Sequence, residues 1–276
     1  MANPFLTDKA FEKATAAASG ADATLLPPPT PGTQTSPVSD GPISPYRPYR
    51  PMTLDGTIAI TGFLFVLLLA AAVWGWNLVE VSEGEVTSFP TWSLIAVLIG
   101  FGAVIAASFK PPLAKFLAPV YAIAEGVFVG AISAAYNTEW NGIVVQAVGA
   151  TLGVFLVMLF LYRARIVKVT DKFRSVVIGA TLGLAAFYLV ALLLSLFGMN
   201  ISFLSATDNG WFGLGFSIFA AGLASLNLLL DFDLIERGVR GAAPKHMEWF
   251  AGLGLLVTVV WLYLEMLRLL ARLRSN

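Results

Sequence analysis

Acidic side chains stand inside several long apolar stretches of this sequence. The stretch "LNLLLDFDLIERG" carries Asp231 and Asp233, "WLYLEMLRLL" carries Glu265, and "YAIAEGVFVG" carries Glu125. A carboxylate near the middle of a bilayer costs about 2.5–3.5 kcal/mol on insertion scales, so it is normally retained for function. All 17 lysines and arginines fall in tails, joints or the ends of the apolar stretches. We therefore take the acids as the candidate functional residues.

Helix geometry separates the roles of the two aspartates. Residues two apart on a helix point about 200° away from each other, so Asp231 and Asp233 do not share a face. Asp233 has Arg237 four residues later, a spacing that predicts an ordinary ion pair. Asp231 instead lies one turn from Asn227, on a face with no cation, so it needs a partner from another helix. We keep Asn227, Asp233 and Glu125 as candidate pore-lining polar groups.

Glu265 and Glu125 each have a structural alternative. Glu265 precedes Arg268 and Arg272, either of which is at the right spacing for a pair at the end of a helix. Glu125 follows Tyr121 by one turn, and the tyrosine hydroxyl could donate a hydrogen bond to it. Both alternatives stay open beside the functional reading.

Two buried carboxyl groups would have a distinctive chemistry. In a low dielectric they do not both ionise cheaply, so the pair shares a proton and responds to pH. Their hard oxygen atoms suit calcium, although full calcium coordination needs about six to eight oxygens. Two acids alone, such as Asp231 and Glu265, would form a weak and transient calcium site, as a permeation path requires.

The composition is that of a membrane protein. Hydrophobic residues make up 57% of the 276 residues and charged residues 12%, against about 25% charged in soluble proteins. The chain has no cysteine and one histidine, which excludes disulfides, iron–sulfur clusters and thiol catalysis. We predict no cofactor. The zero net charge gives no sign of a nucleic-acid partner, so the predicted partner is the lipid bilayer.

Seven apolar runs of about 20 residues follow one another, each long enough to cross a bilayer as a helix. The predicted spans are residues 57–79, 91–109, 116–136, 141–162, 175–197, 212–235 and 249–270. Residues 1–55 are rich in Pro, Ser and Thr, which predicts a disordered tail. The predicted fold is therefore all-α and polytopic, with a seven-helix transmembrane domain over residues 56–276.

The distribution of charge predicts the orientation. Lysine and arginine collect in the tail and in the second, fourth and sixth loops between the predicted spans. The charged residues of the other loops are all acidic. Because basic residues favour the cytoplasmic side, the N-terminus is predicted to be cytoplasmic. Seven crossings then place the C-terminal arginines, including Arg272 and Arg274, outside. Either the outside end tolerates them or the last segment turns back within the membrane; we favour seven crossings.

The sequence also resembles a known family. "LLLDFDLIERG" followed by "WLYLEMLRLL" resembles the paired signatures of the transmembrane Bax inhibitor motif family, in its bacterial YccA-like branch, and "PVYAIAEGVFVGAIS" is similar to the third span of that family. The resemblance covers residues 54–273. It implies a seven-helix fold in which the C-terminal helix is central between two three-helix layers.

The same resemblance implies a function and residue roles. It implies a pH-sensitive calcium leak channel of the plasma membrane, without enzymatic activity, in which two carboxyl groups share a proton and latch the pore. By motif, Asp231 takes the place of the sixth-span acid and Glu265 that of the seventh-span acid. Lys110 is the nearest match to the basic residue that pairs with the aspartate when the gate opens.

This sequence departs from the family pattern in three ways. Glu265 stands where the family usually has aspartate, and Lys110 stands where it has arginine, which removes a bidentate donor. In addition, 33 residues separate Asp231 from Glu265, which places them about 20 Å apart on straight helices. A direct pair would then need a displaced, kinked or re-entrant last segment.

Two other functions compete with the channel. The tail could recruit a partner, so that the protein modulates a membrane protease or a stress response. Two buried acids could also activate water as an intramembrane aspartyl hydrolase. The sequence lacks a glycine-framed aspartate pair on adjacent spans, which disfavours the hydrolase.

Overall fold

The computed structural model of the chain describes residues 50–82, 85–90, 92–197 and 210–275. Most of the predicted 1–55 tail lies outside the described residues, so its disorder stays a prediction. Within the described residues the chain forms seven α-helices and one short hairpin. The helices are α1 (Leu54–Trp76), α2 (Ser93–Phe109), α3 (Ala114–Glu139), α4 (Ile143–Arg163), α5 (Asp171–Leu196), α6 (Trp211–Arg240) and α7 (Met247–Ser275).

The helices confirm an all-α polytopic membrane protein. Six of them are long and apolar enough to span a membrane, and α2 is a shorter apolar helix. Its 17 residues rise about 25 Å, at the lower limit for a crossing. The first joint forms an antiparallel hairpin of β1 (Glu80–Ser82) and β2 (Glu85–Ser88), which the apolar pattern did not predict. A 3₁₀ turn, Pro111–Leu113, leads from α2 into α3.

Local sequence signals set several of the helix ends. The Oγ1 atom of Thr53 accepts a hydrogen bond from the Gly56 amide at 3.1 Å and caps α1. Thr170 caps α5 in the same way, through the Phe173 amide at 3.2 Å. Gly142 turns the chain between α3 and α4 with a φ of 76°, a conformation that glycine adopts without steric cost.

The C-terminal helix is the central element, as the family resemblance implied. Helices α1 and α2 pack on α3, and α4 and α5 pack on α6, which gives two groups of three. Helix α7 lies between them and contacts α1, α3, α4 and α6. In its apolar 18-residue stretch, 83% of the residues are buried within the protein, against 17–56% in the corresponding stretches of the other five long spans.

Helix α7 is one unbroken helix, so the last segment does not turn back on itself. Its 29 residues rise about 43 Å, enough for a full crossing. Arg272 donates to the carbonyl of Gly213 at the start of α6. Arg274 donates to the carbonyl of Asn141 at 2.7 Å, in the turn between α3 and α4. Seven crossings place Arg272 and Arg274 on the outside, where basic residues are not expected. At that end of the bundle, carbonyl groups of the protein bind both side chains.

At the opposite end, the segment before α1 joins the turn between α6 and α7. The Met52 amide donates to the Ala243 carbonyl at 2.6 Å, and the Lys245 amide donates to the Arg50 carbonyl at 3.1 Å. These bonds link the two helix groups at the end where the described chain begins.

Helices α1 and α3 pack closely through glycine. A Cβ atom at Gly130 would overlap the carbonyl of Ala72, and one at Gly126 would overlap the carbonyl of Leu68. Small residues at such positions allow helices to approach within lipid. By contrast, Cβ atoms at Gly179 and Gly183 of α5 would meet no atom within 4 Å, so these two glycines bring no neighbouring helix close.

We expect Gly130→Ala to destabilise the protein by about 1–3 kcal/mol, because the added methyl group overpacks the α1–α3 contact. The matched control is Gly62→Ala in α1, where an added Cβ meets nothing within 4 Å. Thermal unfolding in detergent, followed by tryptophan fluorescence, measures both. A Gly130→Ala variant as stable as Gly62→Ala would contradict this packing.

Candidate functional site

Asp231 is buried at the interface of α6 and α7. Its side chain is 3% exposed, and it lies beside Thr258 of α7, whose hydroxyl donates to the Gly254 carbonyl at 3.3 Å. The Oδ2 atom is buried and has no hydrogen-bond partner. No ion pair joins Asp231 to a basic side chain among the described residues. Asp231 therefore faces another helix, as the sequence indicated, but it faces a neutral residue there and no cation.

Asn227, one turn away on α6, binds a different helix. Its Nδ2 atom donates to the Thr181 hydroxyl of α5 at 3.0 Å and to the Leu223 carbonyl at 2.8 Å. The amide is therefore a link between α5 and α6.

Asp233 lies in a cluster of arginines. Its Oδ2 atom is 2.8 Å from Nη2 of Arg237 and 2.9 Å from Nη2 of Arg174. The predicted pair with Arg237 is confirmed. Arg174 comes from α5, and spacing along the sequence gave no sign of it.

Glu265 forms the structural pair that the sequence left open. Its Oε2 atom is 2.9 Å from Nη1 of Arg268. Its Oε1 atom accepts hydrogen bonds from the Tyr188 hydroxyl at 2.9 Å and from the Trp261 indole at 3.1 Å. Arg268 also donates to the Tyr188 hydroxyl at 2.8 Å. This carboxylate is fully partnered although it is only 2% exposed.

The structure does not bring Asp231 and Glu265 together. Thr258, the α7 residue beside Asp231, precedes Glu265 by seven residues, which is about 10 Å along a helix. Among the described residues, no three His, Cys, Asp or Glu side chains gather as metal ligands. A shared proton and joint calcium binding by the two acids stay predictions, and they require another conformation.

Glu125 and Lys110 lie away from this interface. Glu125 is 8% exposed, and it forms no hydrogen bond with another described residue, so the bond expected from Tyr121 is absent. A Cβ atom at Gly100 of α2 would lie 3.2 Å from its Oε2 atom. Lys110 is exposed where α2 ends, and it forms no ion pair within the described part of the chain.

A family model described as Bax inhibitor 1 like matches residues 3–275. The chain belongs to the Bax inhibitor 1 like family. The match includes nearly all of the tail, which the resemblance in the sequence had left outside. No curated protein and no solved structure matches the chain. The assignment to a bacterial, YccA-like branch stays a prediction.

This Bax inhibitor 1 like protein has one further buried acid, which the sequence placed only at the edge of the last apolar run. Glu248, at the start of α7, is 1% exposed. Its Oε1 atom accepts hydrogen bonds from the amide and the hydroxyl of Thr53, both at 2.9 Å, and from Nζ of Lys245 at 3.0 Å. A carboxylate at the N-terminus of α1 is favoured by the helix dipole. Lys245 three residues earlier was the signal available in the sequence.

We expect Arg268→Met to destabilise this Bax inhibitor 1 like protein by about 3 kcal/mol, because Glu265 would keep a buried charge without its cation. The double variant Glu265→Gln with Arg268→Met should recover part of that loss, since both charges are then gone. Thermal unfolding in detergent measures the three variants. A double variant no more stable than Arg268→Met would show that the ion pair is not the cause.

Proposed function

We propose that this family member is a pH-sensitive leak pathway for calcium, gated by Asp231. The observation that carries the proposal is a buried carboxyl group in a membrane-spanning helix, which lies beside a threonine of the next helix and has an Oδ2 atom without a hydrogen-bond partner. We place the protein in the plasma membrane with a cytoplasmic N-terminus, and we treat calcium as the transported ion.

The other acids in the last two helices differ from Asp231. Basic side chains contact Asp233, Glu236, Glu248 and Glu265. Such pairs have a structural role, because each charge is compensated. Asp231 has no such compensation, and an uncompensated charge is expensive in a low dielectric. Structural pairing therefore explains the other four acids and leaves Asp231 for another role.

The chemistry of the proposed gate follows from this contrast. A buried carboxyl group without a cation has its lower free energy in the protonated form. When the pH rises and the proton leaves, the carboxylate needs water or a cation. The α6–α7 interface must then rearrange, and Lys110 is the candidate cation for the open state. Glu265 can serve as a second oxygen ligand only after Arg268 releases it.

The single histidine is a weaker candidate for the pH sensor. His246 lies in the turn before α7, and burial lowers its pKa from the usual value of 6.5. Its imidazole is therefore neutral at pH 7 and gains its proton only at lower pH. The response at neutral or higher pH that we propose therefore needs another group.

We expect calcium uptake into liposomes to rise with pH for the wild type and to be low and independent of pH for Asp231→Asn, because the amide imitates the protonated acid. The matched control is Asp55→Asn, the same change at an exposed position in the first turn of α1. Glu265→Gln tests the second acid in the same assay. Unchanged uptake and an unchanged pH response in Asp231→Asn would refute the proposal.

A second function has one observation in its favour. The chain between Arg50 and Thr53 is bonded to the α6–α7 turn and to Glu248. A partner that binds the preceding 49 residues would therefore pull directly on the start of α7. The protein could in this way modulate a membrane protease or a stress response.

Deletion of residues 1–49 separates the two functions. The deletion keeps Arg50 and its bond to Lys245, so the helices should fold and calcium uptake should be unchanged if the transmembrane domain is the leak. Loss of the cellular effect with normal uptake would favour the recruitment function. Uptake in liposomes and growth under membrane stress are the two measurements.

A further inference from the structure

An apolar groove runs between α4 and α6 on the outside of the bundle. Gly153 and Val157 of α4 line one wall, Gly222 and Leu226 of α6 line the other, and Met266 of α7 also contributes. The volume of this α4–α6 groove is about 760 Å³. We propose that the groove and the basic residues at its end bind an anionic phospholipid. The inference does not depend on the proposed leak function.

Missing side chains create the groove. Phe155 of α4 and Phe232 of α6 pack together, with ring centroids 5.5 Å apart. The α6 residues that line the groove, 218–226, lie about 9–21 Å from Phe232 along the helix. At this level a Cβ atom at Gly153 or Gly222 would meet no atom within 4 Å. The two helices therefore touch at the aromatic rings and leave a space beside them.

The loop between α4 and α5 lies at one end of the groove. Leu223 and Leu226 of α6 line the groove and also belong to the apolar cluster that α6 forms with α5. Helices α4 and α5 therefore flank the same part of α6. The loop of residues 164–170 joins the end of α4 to the start of α5, so it spans the interval between them at the end of the groove.

The depth of the groove matches the acyl chains of one leaflet. Helix α4 ends at Arg163, and its groove residues, from Met158 to Ala150, lie about 8–20 Å from Arg163 along the helix. The hydrocarbon core of a bilayer is about 30 Å thick, so one leaflet contributes about 15 Å. A phospholipid whose phosphate lies beside Arg163 can therefore place one acyl chain in the groove.

The basic residues at this end of the groove complement an anionic headgroup. Arg163, Arg165 and Lys168 are exposed, and none of them forms an ion pair with another described residue. Glu236, the α6 acid that Arg165 approaches, is already paired with Arg240. Basic residues beside transmembrane helices on the cytoplasmic side, where we place this end, bind anionic lipid headgroups.

A second copy of the chain is the competing occupant of the groove. Two copies in one membrane have the same orientation, so a two-fold interface through the groove would bring their two basic loops together. Like charges that face each other across an interface oppose association. An anionic lipid meets the same residues with the opposite charge, and this contrast favours the lipid.

Native mass spectrometry of the whole protein, delipidated in detergent, tests the site. Phosphatidylglycerol and phosphatidylcholine with identical acyl chains are titrated separately. We expect the wild type to bind one phosphatidylglycerol molecule about tenfold more tightly than phosphatidylcholine, because the basic residues attract the charged headgroup. Equal affinities for the two lipids would show that the groove holds only ordinary surrounding lipid, and would overturn the inference.

Two substitutions separate the headgroup from the acyl chain. Arg163→Gln should weaken phosphatidylglycerol binding about fivefold and leave phosphatidylcholine binding unchanged, since one basic charge is lost. Its control is Lys115→Gln, which removes an exposed charge in the first turn of α3. Gly222→Leu should abolish the tight site, because its side chain fills the groove. The control is Gly62→Leu in α1, where an added Cβ also meets nothing within 4 Å.

The Gly222→Leu variant also decides between the two occupants. Tight phosphatidylglycerol binding that persists in this variant would refute the site. A wild-type dimer that becomes a monomer on this substitution would also refute it, because the groove would then be an interface between copies. If Gly222→Leu does not fold, Gly153→Leu repeats the test from the α4 wall, where a Cβ has equal space. Lipid binding is measured without transport, so failure of the leak function leaves this test intact.

Discussion

The structure depends on one constraint: within a bilayer, polar groups must find their partners inside the protein. The last two helices carry many such groups, and several of them are bound by side chains of other helices. Asn227 binds Thr181, and Glu265 binds Tyr188 and Arg268. Asp231 departs from this pattern, because its Oδ2 atom is buried without a partner.

The same constraint explains why the C-terminal helix is central. Helix α7 carries Glu248 at one end, where it binds Thr53 before α1, and Arg272 near the other, where it binds the Gly213 carbonyl of α6. Such a helix also carries the carboxylate of Glu265 between its ends, and it would be unstable if lipid surrounded it on all sides. Enclosure by the two groups of three helices supplies the partners that lipid lacks.

The sequence predicted the fold well because apolar runs of fixed length determine where helices cross a membrane. It also predicted the pair of Asp233 with Arg237, since a spacing of four residues is a property of one helix. It did not predict Arg174 or Tyr188 as partners, because those contacts depend on how α5 lies against α6 and α7. The sequence did not predict the hairpin before α2, because its strands are too short to show a regular alternation of apolar and polar residues.

The central claim is that Asp231 is protonated in this conformation and loses its proton when the pathway opens. Infrared spectroscopy tests it directly, through the difference between the wild type and Asp231→Asn over a pH series. The account predicts that the difference spectrum contains the carbonyl stretch of a protonated carboxylic acid at neutral pH and that this band disappears as the pH rises. A carboxylate signal at every pH would contradict the account.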